Sequence, residues 1–515
     1  MIVDRIKIWM TQAPEYKLFS GFAVLVLLSL YGAAATGYFV LAGLPVLFLF
    51  AWVCLLDFSK IYYLLLFFLP LSTEVYLPGG LGTDLPTEPI IVALMLIFGA
   101  FALQRNSGAA IEKHFFTHPI ALLLLVHVGW IYATTITSEL FLVSLKFSLA
   151  KTWYVAVFFF LSGYLIHTER DYKTLFWVVF IPLMFTVLVT QVRHAAYGFS
   201  FRDIHKVLHP FQRNHVNYAA MLALFFPFLF LAIGWYRRYS RIWWTLVVSV
   251  VVMLVAIYFA YTRAAYVALL FAAGAYVAIR LRLVRYVLAA GLLSMILIVG
   301  SMVYNNRYLE YAPNYDRTIT HYKFDNLIEA TYKMEDISTM ERVYRWVAGA
   351  HMSAKNPVLG FGPGNFVNFY KPYAVTSFQT YVSNNKENSG IHSYFLMTLV
   401  EQGWPGLLLF MALLFYTLIK GENIYHETRD PDRRRLLLMA LLCLVVIDAF
   451  LLINDMIETD KVGSFFFICL AMLINLDLAN RRERIVGTQH DEPQKPLPTE
   501  SDCKLIQNDT TGKSG

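Results

Sequence analysis

Apolar runs of about 20 residues, the length that crosses a bilayer as a helix, follow one another along most of the chain. Their spacing predicts about 14 spans, near 18–36, 38–56, 58–72, 88–104, 117–136, 148–167, 172–191, 215–235, 241–260, 262–281, 283–303, 391–419, 434–453 and 462–479. The run 58–72 is short, and a re-entrant segment is the alternative there. Lipid offers the backbone no hydrogen bonds, so spans of this kind must be helical. The expected fold is an all-α polytopic membrane protein with one large extramembrane loop. Its parts are an N-terminal transmembrane bundle (1–303), the loop (304–390), C-terminal transmembrane helices (391–480) and a polar tail (481–515). The tail has no apolar period and reads as disordered cytoplasmic chain. The first run resembles a signal peptide, following Arg5, Lys7 and Lys17 and ending near Ala33-Ala34-Ala35. A second run follows almost at once, so an uncleaved span is expected.

The polar links set the orientation. With the N-terminus inside, the inner links carry Lys60, Arg105, Lys113, Arg170, Lys173, Arg237, Arg238, Arg241, Arg280, Arg282, Arg285, Lys420, Arg429, Arg433, Arg434, Arg435, Arg481, Arg482 and Arg484. The outer links are acidic or balanced: Glu74 and Asp84 in 73–87, Glu139 against Lys146, and Asp455, Glu458 and Asp460 against Lys461. One outer link breaks this pattern. Residues 192–214 hold Arg193, Arg202, Lys206 and Arg213 with His194, His205 and His209. Bases placed against the topological rule point to an anionic ligand outside the membrane.

Composition narrows the class. The chain of 515 residues is 58% hydrophobic and only 15% charged, against roughly 25% charged in soluble domains. The net charge of +7 follows from the basic inner links, so it does not imply a nucleic-acid partner; membrane lipids are the surroundings. Three of the four cysteines, Cys54, Cys443 and Cys469, lie in apolar runs and Cys503 lies in the tail. None has metal-ligand spacing. Neither disulfide, metal site nor cofactor is expected.

The long loop holds the densest signals. Ser338-Thr339-Met340-Glu341 is a capping box, and Val343, Trp346, Val347, Ala350 and His351 follow at helical spacing until Asn356-Pro357 ends the helix. Gly360-Phe361-Gly362-Pro363-Gly364-Asn365-Phe366 follows. It lacks the strand and spacing of a dinucleotide fingerprint. It reads as a tight turn folding the helix back onto the membrane part, or, at Gly362 and Gly364, as bare backbone that lets a substrate approach. Arg263 stands in a very short outer link between two spans, where a guanidinium either snorkels to the interface or grips a phosphate through its planar fork. Arg213, just before the span at 215, is an ordinary loop base or a second such group. His392 heads the span after the loop, with an imidazole suited to proton transfer near neutrality. Glu401, deeper in that span, is a partner or a packing carboxylate. Asp448 lies within a span and reads as a helix–helix hydrogen bond. Lys151 and Trp153 at an outer end, and Arg342 on the loop helix, complete the candidates.

These residues resemble a family. Glu341-Arg342…Trp346, then Asn356-Pro357-Val358-Leu359-Gly360-Phe361-Gly362-Pro363-Gly364-Asn365-Phe366, then His392-Ser393-Tyr394-Phe395-Leu396…Glu401-Gln402-Gly403…Gly406-Leu407 are similar to the signature of the O-antigen ligase/polymerase family, over about 70 residues. The resemblance implies a GT-C-like, metal-independent glycosyltransferase of the bacterial inner membrane, with its active site facing the periplasm. The implied donor is an undecaprenyl-diphosphate-linked glycan, and the implied acceptor is lipid A core or a similar glycan or lipid. By position, Arg213 and Arg263 match arginines that bind the diphosphate, and His392 matches the histidine near the acceptor. Two features depart from the family: Ser393 follows the histidine where Asn is frequent, and the span count exceeds that expected of the ligases. The second keeps open a polymerase that joins lipid-linked repeats. A lipid-linked glycan transporter is the alternative of another class, but no duplicated halves are seen.

Overall fold

The computed structural model describes residues 15–46, 48–49, 57–76, 82–103, 113–304, 337–374 and 389–491. Among the described residues, ten helices are long and apolar enough to cross a membrane: Phe19–Thr36, Pro119–Ile136, Phe141–Leu165, Glu169–Ala196, His215–Trp235, Arg241–Phe259, Arg263–Arg280, Val284–Ser301, Tyr394–Glu427 and Asp460–Arg484. Phe58–Leu71 and Thr87–Phe101 are shorter apolar helices. Pro431–Leu451 is a further 21-residue helix that begins with three arginines, Arg433–Arg435. Residues 47 and 50–56 of the run 38–56, and 305–336 and 375–388 of the large loop, lie outside the described residues, as do the side chains of Ser338–Glu341, on which the capping box rests.

In chain order the elements used below are α1 (Glu15–Thr36), α2 (Phe58–Phe68), β1 (Thr73–Tyr76), β2 (Gly82–Leu85) and α3 (Thr87–Leu103). There follow α4 (Pro119–Ile136), α5 (Phe141–Leu165), α6 (Glu169–Ala196), α7 (His215–Ala232), α8 (Arg241–Phe259), α9 (Arg263–Arg280) and α10 (Val284–Val303). The loop helix is α11 (Ile337–Lys355), and α12 (Tyr394–Glu427), α13 (Pro431–Leu451) and α14 (Asp460–Asp491) close the chain.

The core sits around the last two helices. In the apolar stretch of α14, 94% of residues are buried; it packs against α13, against a π-helical stretch of α5 (Val155–Leu161), and against α7 and α12. α13 in turn packs against α7 and α9. Only 6% of the stretch of α10 and 11% of that of α1 are buried. Such all-round apolar, unburied helices need a lipid solvent.

Two expectations shift. The span expected at 148–167 begins earlier, at Phe141, after a link of only four residues from the end of α4 at Ile136. Ser144, Ser148 and Lys151 are buried at helical spacing in its first half, so the polar face that lowers its hydropathy points inward. The link 73–87, expected outside, contains a small antiparallel hairpin, with Thr73 paired to Leu85 and Tyr76 to Gly82. The loop helix begins and ends where its pattern predicts.

Candidate functional site

A broken helix organises this end of the bundle. Gly403 interrupts α12 with φ 70° and ψ −175°, a region only glycine adopts readily. A break leaves backbone groups of the helix without partners, and the glycine-rich turn after α11 satisfies them. Phe361 N donates to Val400 O at 3.0 Å, Gly362 N donates to Glu401 O at 2.9 Å, and Trp404 N donates to Pro357 O at 2.8 Å. The Glu401 carboxylate accepts from Gly364 N at 2.8 Å and from Phe366 N at 3.0 Å. Asn365 Nδ2 donates to Ser138 Oγ (2.8 Å), Ser144 Oγ (3.0 Å) and Phe361 O (3.1 Å), tying the turn to the α4–α5 junction. A side chain at Gly362 would collide with Ser138, and one at Gly360 with the Glu401 carbonyl. Close approach therefore does require these glycines, and the groups that approach are the protein's own.

His392 lies just before α12, at the tip of the segment Ser389–Ser393. Its backbone is left-handed, φ 57°, which is uncommon outside glycine. Ser389 Oγ and His392 Nε2 share a hydrogen bond of 2.9 Å. Arg345, buried on α11, donates from Nη1 to Gly390 O at 2.8 Å. Burial, together with the Arg342 and Arg345 guanidinium groups, holds His392 far below its usual range, down to about 3. The imidazole is therefore neutral at ordinary pH, with a lone pair able to take a proton.

Arg342 faces two histidines. It lies within electrostatic reach of His392 and of His215, the first residue of α7. The His215 ring stands edge-on to His205, with centroids 4.8 Å apart. Thr262 Oγ1 donates to His215 O at 3.2 Å, and the next residue, Arg263, opens α9. His215, Arg342 and His392 thus lie near one another, with the start of α9, where Arg263 stands, bonded to His215; the four come from four separate stretches of chain. Arg213 is two residues before His215. Its exposed side chain reaches across to the hairpin, with Nε 3.6 Å from Glu74 Oε2.

Lys151 is placed differently from an outer-end base. It lies ten residues after the start of α5, about 15 Å along the helix, and is buried. Its Nζ donates to Glu458 Oε1 at 2.6 Å and to Tyr394 OH at 3.4 Å. The charge is met inside the protein, beneath the start of α12.

The α13–α14 link supplies residues that the sequence reading treated only as topological signals. The Asp455 carboxylate packs directly on Gly390, and burial pushes its carboxyl up. Asp460 accepts from Ser72 Oγ at 3.1 Å and Thr87 Oγ1 at 3.0 Å. Lys461 donates to Ser72 O at 2.9 Å and to Phe211 O. This link therefore holds together the hairpin, the basic link 192–214 and the His392 segment. Arg345 was also missed; its one sequence signal is its place three residues after Arg342, on the same face of α11.

No curated protein matches the chain. Residues 248–411 match the family model described as O-antigen ligase, a stretch that contains Arg263, Arg342, Arg345, the glycine turn, His392 and Glu401. Over this stretch, about a third of its length, the chain is similar to the O-antigen ligase family.

Proposed function

We propose that the protein is an inverting glycosyltransferase that moves a glycan from undecaprenyl diphosphate to an acceptor hydroxyl at the periplasmic face of the inner membrane. The observation that carries this reading is the rim at which a neutral histidine, His392, shares a cation, Arg342, with the helix start that adjoins Arg263. Arg263 and Arg342 take the diphosphate, since guanidinium forks match phosphate oxygens in pairs. Arg213 joins them by exchanging Glu74 for the ligand; an exposed ion pair is worth little, so the exchange is cheap.

In the reaction His392 accepts the proton of the acceptor hydroxyl. The acceptor oxygen bonds to the anomeric carbon from the face opposite the diphosphate, and the carbon–oxygen bond to phosphate breaks. The arginines stabilise the charge that accumulates on the departing diphosphate. In this reading Gly362, Gly364 and Glu401 hold the turn against the broken helix, and Lys151 supports the start of α12 through Tyr394 and Glu458. No step calls for a cofactor.

The test is transfer by membranes or purified protein supplied with lipid-linked glycan and acceptor. His392→Ala and Arg263→Ala each abolish transfer while the protein accumulates normally; wild-type rates in both variants remove these roles. The acceptor separates a ligase from a polymerase. Without the protein, full-length glycan stays on undecaprenyl diphosphate in the first case, and single repeats reach the surface lipid in the second. A transporter gives no transfer in detergent at all.

A further inference from the structure

The His392 segment is gripped from two sides, by residues with no place in the chemistry above. From α11, Arg345 holds the Gly390 carbonyl at 2.8 Å. From the α13–α14 link, the Asp455 carboxylate rests on the Gly390 α-carbon, where a Cβ would collide with it. The two charges lie within electrostatic reach of each other, and both residues are largely buried. A neutral donor would anchor a carbonyl equally well, and burying a guanidinium is costly unless it is paired and hydrogen-bonded. Arg345 is hydrogen-bonded at Gly390, two residues before His392, with Asp455 within electrostatic reach. His392 itself has a left-handed backbone, a conformation that persists only when its surroundings impose it.

Resting on the reading of His392 as the proton acceptor, we propose that Arg345 and Asp455 form a positioning pair that aims the His392 imidazole at the acceptor by clamping the Gly390 peptide between α11 and the α13–α14 link. The charge of Arg345 has a second effect. Burial does most to keep the imidazole unprotonated, and Arg345 adds to it together with Arg342, also on α11, while Ser389, on the same segment, bonds the ring.

The experiment uses the full-length protein in detergent, with undecaprenyl-diphosphate-linked oligosaccharide as donor and a glycan acceptor. It compares Arg345→Gln, Arg345→Lys and Asp455→Asn with wild type across pH. Arg345→Gln lowers kcat about 100-fold, the effect of a displacement near 1 Å, and leaves the donor KM within about twofold. It also moves the acid limb of kcat/KM to higher pH, because one of the two cations facing the imidazole is gone and the ring takes up a proton more readily. Arg345→Lys keeps the charge and a donor, so it recovers most of kcat and leaves the acid limb in place. A merely structural arginine would lower accumulation and melting temperature without moving that limb. The proposal is overturned if Arg345→Gln accumulates and melts like wild type with unchanged kcat and pH profile, or if its whole loss lies in the donor KM. If Arg345→Gln does not accumulate, Asp455→Asn, of the same shape, decides: a selective fall in kcat supports the pair and a wild-type kcat removes it. Full activity in His392→Ala sinks the base reading itself, whereas an inactive His392→Ala beside a fully active Arg345→Gln sinks only the clamp.

Discussion

Replacing Gly403 with alanine tests whether the helix break holds the loop onto the membrane bundle. Two costs add. Alanine at φ 70°, ψ −175° sits in a region nearly closed to side chains, about 1–3 kcal/mol. Its Cβ would also collide with the Val358 carbonyl and lie 2.7 Å from Pro357 O. Those are backbone atoms and cannot swing aside, so the turn must withdraw. Withdrawal breaks the bonds from Phe361 N to Val400 O, from Gly362 N to Glu401 O and from Trp404 N to Pro357 O, each worth about 1 kcal/mol net. The sum is about 4–6 kcal/mol, a large share of the stability of an ordinary domain. Thermal unfolding in detergent and protease cleavage between residues 356 and 366 measure it. Gly291→Ala on α10 is the control: its Cβ would meet nothing within 4 Å, so alanine there is neutral or favourable by about 0.5–1 kcal/mol. Gly403→Ala must melt well below wild type and expose the turn to protease. Equal melting temperatures for the two variants, with the turn still protected, would refute the docking argument.

Glu401→Ala leaves two backbone N–H groups without acceptors, at about 1–3 kcal/mol each, so transfer and melting temperature fall together. Loss of transfer at unchanged stability would instead put Glu401 in the reaction. Glu401→Gln keeps one acceptor oxygen but turns an amide against the other N–H, so it falls between. Asp84 on β2 carries a pH effect: burial and then the neighbouring Asp460 raise its carboxyl from 3.8 to about 7. The folded state therefore holds this proton more tightly than the unfolded state. The stabilisation is full below pH 3.8 and is lost as pH rises through about 7. Asp84→Asn removes that decline, so wild type loses melting temperature relative to the variant between those limits; parallel curves across the range contradict this.

The sequence made the membrane part legible because the bilayer imposes a length on apolar runs, and the loop helix legible because Asn356-Pro357 stops it. Hydropathy does not reach the ends of the long helices. The span read at 462–479 continues in α14 to Asp491, and the one read to 419 continues in α12 to Glu427. There the helices continue through charged residues, with Arg484 and Glu427 2.6 Å apart and Arg433 and Glu483 2.5 Å apart, where hydropathy gives no signal. Local pattern also located His392, Arg263 and the glycine turn, since each sits at a visible boundary.

What the pattern could not assign was who meets whom. Lys151 read as an outer base for a phosphate, yet its charge is met by Glu458, 307 residues later. Asp455 and Glu458 read as markers of an outer link, yet one packs on Gly390 and the other neutralises Lys151. Each of these charges had a sufficient local explanation, so nothing in its own surroundings called for a distant partner. A buried charge must find one, because desolvation costs several kcal/mol per ion when it is unpaired. Burial is therefore the missing variable. Once Lys151 and Arg345 are seen to be buried, opposite charge close by is required, and the acidic α13–α14 link is what the fold supplies.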